Sequence, residues 1–181
     1  MSSSIKVNLE KDSYDIIFDE NFVESAMALI AISSKCMFIT QEIIYEAFEE
    51  KFSVLKSLPN VEFHLIQQGE KAKSIDTVIE ICDKMAMMQF DRSSTVFAVG
   101  GGVVGDTAGF VASIFMRGID YFQYPTTLLA MVDSSIGGKT GVNLSSGKNL
   151  IGRIHQPKAV IVDVSFLDTF CLLYTSPSPR D

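Results

Sequence analysis

The sequence predicts an α/β domain, a mostly parallel sheet covered by helices. Three observations carry that reading. Apolar, β-branched runs alternate with amphipathic stretches in the order β-α-β-α-β-α-β. Residues 95–110, TVFAVGGGVVGDTAGF, start as a strand, turn on Gly100, Gly101 and Gly102, and resume as a helix. Three polar or glycine-rich segments, 68–73, 100–106 and Thr126-Thr127, each follow a strand directly. All three are therefore expected along the carboxyl edge of the sheet, where ligands of such sheets bind.

The elements follow in order. Residues 5–9 alternate apolar and polar, as a half-buried strand does. Residues 14–18 form a second strand, and Lys11, Asp12 and Ser13 close a hairpin between the two. Asn21 reads as the N-cap of a helix with Phe22, Val23, Ala26, Met27 and Ile30 on one face. Residues 35–40 are an apolar strand. Residues 42–56 read as one helix, with Ile44, Phe48, Phe52 and Leu55 on one stripe. Glu46, Glu49 and Glu50 mark its solvated face. Pro59-Asn60 is a turn, and 61–67 is a strand. Ser74 caps a helix that turns Ile75, Val78, Ile79, Cys82 and Met85 to the core; Met87 and Met88 also read as core packing. Residues 119–124 are a strand ending at Pro125, and 126–132 a short buried helix.

Composition narrows the function. A chain of 181 residues with 47% hydrophobic and 20% charged residues supports one domain with a real core. The net charge of −7 argues against nucleic-acid binding by charge, so an anionic ligand must be held by local donors. Cys36, Cys82 and Cys171 show no paired spacing, which argues against a disulfide framework and against a cysteine zinc site. His64 and His155 are far apart and form no metal motif. The first residues carry no basic stretch followed by an apolar one, so a cytoplasmic location is expected. Residues 95–116 are apolar enough to suggest a membrane span, but three adjacent glycines and the central Asp106 argue for strand, turn and helix instead.

A strand feeding a glycine turn feeding a helix brings bare backbone N–H groups against a phosphate, which points to a nucleotide or phosphorylated ligand. A second block begins at Asp133, DSSIGGKTGVNLSSGKNLIG. Its two Gly-Lys pairs, Gly138-Lys139 and Gly147-Lys148, are nine residues apart. Lysine supplies compact positive charge and Asn149 both donor and acceptor, which suits an oxygen-rich anion. A plain surface hairpin fits the same residues. An ATP-type phosphate loop does not, because Asp133 stands where that motif needs a glycine and no strand precedes it. The ordinary dinucleotide fingerprint is half met: Gly100 to Gly105 match, but Asp120 begins a strand where an acidic residue should end one.

These segments together resemble one family. GEKAK at 69–73, GGGVVGDTAGF at 100–110, Arg117-Gly118, PTTLLAMVDSSIGGKTGVN at 125–143, GKNLIG with HQP up to Pro157, and VDVSFLDT at 162–169 resemble the N-terminal part of 3-dehydroquinate synthase. The likeness runs over about residues 5–170. It implies a Rossmann-like NAD-binding domain whose helical, metal-binding C-terminal domain is missing. The family uses NAD as a recycled catalyst with a divalent metal, zinc or cobalt. It converts 3-deoxy-D-arabino-heptulosonate 7-phosphate to 3-dehydroquinate and phosphate, a lyase step of aromatic amino-acid biosynthesis.

The resemblance also implies roles. Gln68, Gly69, Glu70, Lys71, Ala72 and Lys73 would lie at the adenosine ribose. Gly102, Val103, Val104, Gly105 and Asp106 would hold the pyrophosphate. Thr126, Thr127 and Lys148 would run along the cofactor. Asp133 would meet substrate hydroxyls, and Lys139 and Asn149 the substrate and its phosphate, with Lys139 close to the cofactor too. Arg117 would contact phosphate across a homodimer interface. Phe166, Leu167, Asp168 and Thr169 would close the adenine end. Gln68 replaces a usual aspartate, Ala72 a common aromatic, and Arg153-Ile154 a small-plus-aromatic pair. No metal ligand falls within the chain; a glutamate and two histidines would lie beyond it. Residues 171–181 read as an unrelated or frameshifted tail, and the fragment is expected to be inactive alone. Another sugar phosphate cyclase, a non-catalytic nucleotide-binding module and a metal-dependent alcohol dehydrogenase are the rival readings.

Overall fold

The structure, a computed structural model, describes residues 3–19 and 21–168. Its strands are β1 (Ser3–Val7), β2 (Tyr14–Phe18), β3 (Cys36–Gln41), β4 (Val61–Ile66), β5 (Thr95–Gly100), β6 (Asp120–Pro125), β7 (Lys139–Leu144), β8 (Gly147–Ile154) and β9 (Ala159–Val162). Its α-helices are α1 (Phe22–Ile30), α2 (Glu42–Ala47), α3 (Glu49–Lys56), α4 (Ile75–Met87) and α5 (Gly102–Ile114). Seven strands form one sheet in the order β1-β2-β9-β6-β5-β3-β4. β1 and β2 are an antiparallel hairpin, and every other pairing in that sheet is parallel. β7 and β8 form a separate antiparallel hairpin. The predicted α/β class therefore holds, with helices on both faces of a mostly parallel sheet.

Both faces are packed, and β5 shows why its sequence is apolar without alternation. Phe97 and Val99 join one core with Phe22, Phe38, Phe52 and Tyr124. Val96 and Ala98 join the opposite core with Met37, Ile39, Ile81, Met85 and Val111. Phe38 and Phe97 stack with ring centroids 4.4 Å apart, which ties β3 to β5. Residues 95–116 are thus strand plus buried helix, and among the described residues no helix is long and apolar enough to cross a membrane.

The caps read from sequence are present. Asn21 accepts from the Glu24 N–H at 3.2 Å, and Ser74 from the Thr77 N–H at 3.2 Å. Other expectations are corrected. The single helix over 42–56 is broken at Phe48, whose backbone (φ −124°, ψ 29°) leaves the helical region. The break lets the Phe48 ring meet Phe166 edge-on at 4.7 Å. Met27 and Ile79 are exposed, and Met87 is 85% exposed rather than core. The segment 126–132 is not a buried helix. It leads into a π-helical turn, Ala130–Ser134, that buries Ala130 and Met131 and leaves Leu128, Leu129 and Val132 in the open.

Candidate functional site

The site begins where β5 meets α5. Gly101 is the N-cap of α5 in extended backbone, with no side chain to cap it. The N–H of Gly105 already returns to the Gly101 carbonyl at 3.0 Å. The N–H groups of the first turn before it have no intrahelical partner, and the helix dipole adds positive potential there. The approach is kept narrow: a β-carbon on Gly101 would sit 3.3 Å from Thr127 Cγ2, and one on Gly102 3.0 Å from Ser134 Oγ. Thr126 Oγ1 and Ser134 Oγ are buried beside this helix start without a hydrogen-bond partner. Buried hydroxyls left unpaired are costly, and a bound polar group relieves that cost. Val104 is wholly inside the core, so at this turn it offers backbone only.

The 68–73 segment lies alongside. Gly69, at φ +81°, opens a 3-10 turn over Glu70–Ala72. Gln68, Gly69, Glu70 and Lys71 are exposed, while Ala72 is packed into the core. Lys73 turns inward, its side chain only 6% exposed. Its ammonium donates to Asp106 Oδ2 and to Asn149 Oδ1. Burial pushes the Asp106 carboxyl above its ordinary pKa, with Lys73 pulling the other way. One buried cation thus joins the segment expected at the ribose, the acid expected at the pyrophosphate, and the asparagine expected at the substrate.

The β7–β8 hairpin completes the enclosure. It packs on α5, where Gly109 leaves so little room that a β-carbon would lie 2.5 Å from Thr140 Cγ2. The plain hairpin that the same residues fitted is present as β7 and β8, and it is also a wall of the site. A cavity of about 500 Å³ is lined by Asp106, Asp133, Lys139 and Asn149, together with Ser134 and Arg153. Three of the four residues singled out for chemistry, Asp133, Lys139 and Asn149, share this space. Lys148 sits next to Asn149 on β8, exposed. Ser134 and Arg153 were missed from sequence. Arg153 donates to the Ser113 carbonyl at 3.1 Å and so braces β8 on the end of α5.

Arg117 is not brought to this cavity. It closes a 3-10 turn, Phe115–Arg117, just before β6 starts, at the sheet edge opposite the glycine turn. Met116 and Arg117 both adopt positive φ, +49° and +72°, and Arg117 is exposed. The Phe166 ring is fully buried, edge-on to Phe22 and Phe48, so this residue could meet a ligand only through its backbone. Leu167 packs on the same core, Asp168 is exposed, and Thr169 and the 171–181 tail lie outside the described residues. Among the described residues no three His, Cys, Asp or Glu side chains are placed to hold a metal.

Comparison with known proteins matches this arrangement. The family model described as 3-dehydroquinate synthase N-terminal matches residues 63–173. The chain is 42% identical over 163 residues to 3-dehydroquinate synthase of Alkaliphilus metalliredigens (strain QYMF), covering 90% of this chain and 46% of that protein. It is 51% identical over 136 residues to that of Dictyoglomus turgidum (strain DSM 6724 / Z-1310), covering 75% and 37%. The chain spans about half the length, or less, of these relatives. Among solved structures it resembles 2-deoxy-scyllo-inosose synthase complexed with carbaglucose-6-phosphate, NAD+ and Co2+ (TM-score 0.80, 28% identity, 91% of this chain and 46% of that one). It also resembles 2-epi-5-epi-valiolone synthase from Streptomyces hygroscopicus subsp. jinggangensis 5008 with NAD+ and Zn2+ bound (TM-score 0.76, 32% identity, 90% and 46%). With the family model matched over most of the chain and these relatives 42–51% identical to it, the chain belongs to the 3-dehydroquinate synthase family, as that family's N-terminal domain.

Proposed function

We propose that this chain is the NAD-binding part of a cytoplasmic 3-dehydroquinate synthase acting on 3-deoxy-D-arabino-heptulosonate 7-phosphate. The observation that carries the reading is the shared cavity of Asp106, Asp133, Lys139 and Asn149 beside the uncapped start of α5. The residues fit NAD. Gly101 and Gly102 give a pyrophosphate access to backbone N–H groups, and Thr126 Oγ1 is buried with no partner of its own. Gly69, Glu70 and Lys71 would meet the ribose, and Thr127 and Lys148 the length of the cofactor. The chemistry NAD would supply when bound is reversible oxidation of one substrate secondary alcohol, with the hydride leaving and later rejoining the carbon that bears the hydroxyl.

The chain's own residues would orient and neutralise the substrate. The Asp133 carboxylate would accept hydrogen bonds from sugar hydroxyls and fix their direction. The Lys139 ammonium would offset phosphate charge, which also eases departure of phosphate. Asn149, held by Lys73, would offer its amide donors to the same ligand. The divalent metal would be held by none of the described residues. Arg117, at the far edge, would serve the cavity of a second copy in a homodimer. A second reading, a cyclase for another sugar phosphate, is favoured by Arg153 and Ile154 in the cavity wall, where the family pattern differs.

A ligand panel tests this. In the presence of NAD, 3-deoxy-D-arabino-heptulosonate 7-phosphate should raise the melting temperature of the chain. Glucose 6-phosphate and sedoheptulose 7-phosphate should not, and Asp133→Asn with Lys139→Ala should abolish the effect. Stabilisation by another sugar phosphate alone would favour the second reading.

A further inference from the structure

Asn143 belongs to no role assigned above, yet it makes three bonds that tie together two segments, 68–73 and β8. Its backbone N–H donates to the Lys73 carbonyl at 2.9 Å. Its side-chain Nδ2 donates to Glu70 Oε1 at 2.8 Å. Its Oδ1 accepts from the Asn149 N–H at 2.8 Å. Asn143 also forms an isolated parallel bridge with Ser74.

The position explains the pattern. The β7–β8 ladder pairs Val142 with Ile151 and Leu144 with Gly147, with an irregularity between Val142 and Leu144. Asn143 sits in that gap, so the strand partner that would satisfy Asn149 is missing from the ladder. The Asn143 amide oxygen supplies it. Asn149 is itself held at φ +58°, a left-handed conformation that a local polar contact stabilises. An amide is needed at 143, because one end must accept from a backbone N–H while the other donates to a carboxylate.

We infer that Asn143 is a positioning residue that links the ribose end of the cofactor site to the substrate-facing tip of the β7–β8 hairpin. This rests on the reading of Glu70 as a ribose contact and Asn149 as a substrate contact. A ligand that fixes the Glu70 carboxylate then also fixes the Asn143 amide, and through it Lys148 and Asn149. Cofactor binding sets the hairpin for the sugar phosphate.

Hydrogen exchange on the 181-residue chain tests this, with NAD affinity measured in parallel by calorimetry. In the wild type, saturating NAD should slow exchange of the 145–150 segment about tenfold, within the ordinary range of coupling between sites. In Asn143→Ala that slowing should vanish while NAD still binds. Asn143→Asp keeps an acceptor for Asn149 but turns a carboxylate toward Glu70, so it should lose the coupling as well, even if the alanine variant fails to fold. The inference is overturned if NAD binds the wild type without slowing the hairpin, or if either variant keeps the full effect. Absence of NAD binding to the folded wild type would instead overturn the cofactor reading beneath it.

Discussion

Lys73, almost wholly buried, points its ammonium at the carboxylate of Asp106 across the mouth of the glycine turn. Neither partner is free to find another counter-ion, because Lys73 is 6% and Asp106 23% exposed at the side chain. The pair fixes the first turn of α5 against the segment before α4. It also carries Asn149, which shares the same ammonium.

Removing one half of the pair should cost more than an ordinary surface bridge. Asp106→Ala leaves a buried ammonium with one neutral partner, and the loss of stability should be about 3 kcal/mol. Urea denaturation measures it. The pH dependence has a definite sign. Burial raises the folded pKa of Asp106 above 3.8, so the folded chain holds this proton more tightly than the unfolded one. Its contribution is full below the unfolded value and is lost as pH rises through the folded value. Against Asp106→Asn, the wild type should therefore gain relative stability as pH falls through that raised pKa toward 3.8.

Gly109 is where α5 and the hairpin come closest. An added β-carbon would lie 2.5 Å from Thr140 Cγ2 and 3.2 Å from the Tyr121 ring. Gly109→Ala gains helix propensity, but overpacking should dominate, with a net loss of about 1–3 kcal/mol in denaturant unfolding.

Thr126 gives opposite signs for stability and binding. Its hydroxyl is buried and unpartnered. Thr126→Val keeps the shape and removes that unsatisfied group, so the ligand-free chain should gain about 1 kcal/mol. NAD affinity should fall about tenfold, since a hydrogen bond to the cofactor is lost. A thermal melt and a calorimetric titration on the same sample check both.

Much of this was legible in the sequence because local chemistry and global fold agree. Asn21 and Ser74 precede amphipathic stretches and cap them. The glycine turn, the 68–73 segment and Thr126-Thr127 follow parallel strands, so topology alone brings them to one edge. What sequence could not show depends on tertiary partners. The Phe48 break goes with a ring contact to Phe166, 118 residues away in the chain, which no local pattern shows. The same contact removes Phe166 from the surface. Leu128, Leu129 and Val132 are apolar and read as buried, but periodicity carries no information on which side of a short turn faces solvent. Lys73 was expected at the ribose with its neighbours, and only its tertiary partners Asp106 and Asn149 show that its side chain turns inside. Asn143 carried no signal beyond its place in a glycine- and lysine-rich block.

The central claim is that the start of α5 holds the cofactor pyrophosphate, and one titration addresses it most directly. NAD is titrated by calorimetry into the wild-type chain and into Gly102→Asp. An acidic residue in the first turn suits the helix dipole, so the variant should stay folded. Its carboxylate would stand beside Ser134 where the pyrophosphate is expected, and like charges there cost several kcal/mol. The account predicts that the wild type binds and that Gly102→Asp, still unfolding cooperatively, binds about a hundredfold more weakly or not at all. Equal affinity in the two would contradict it.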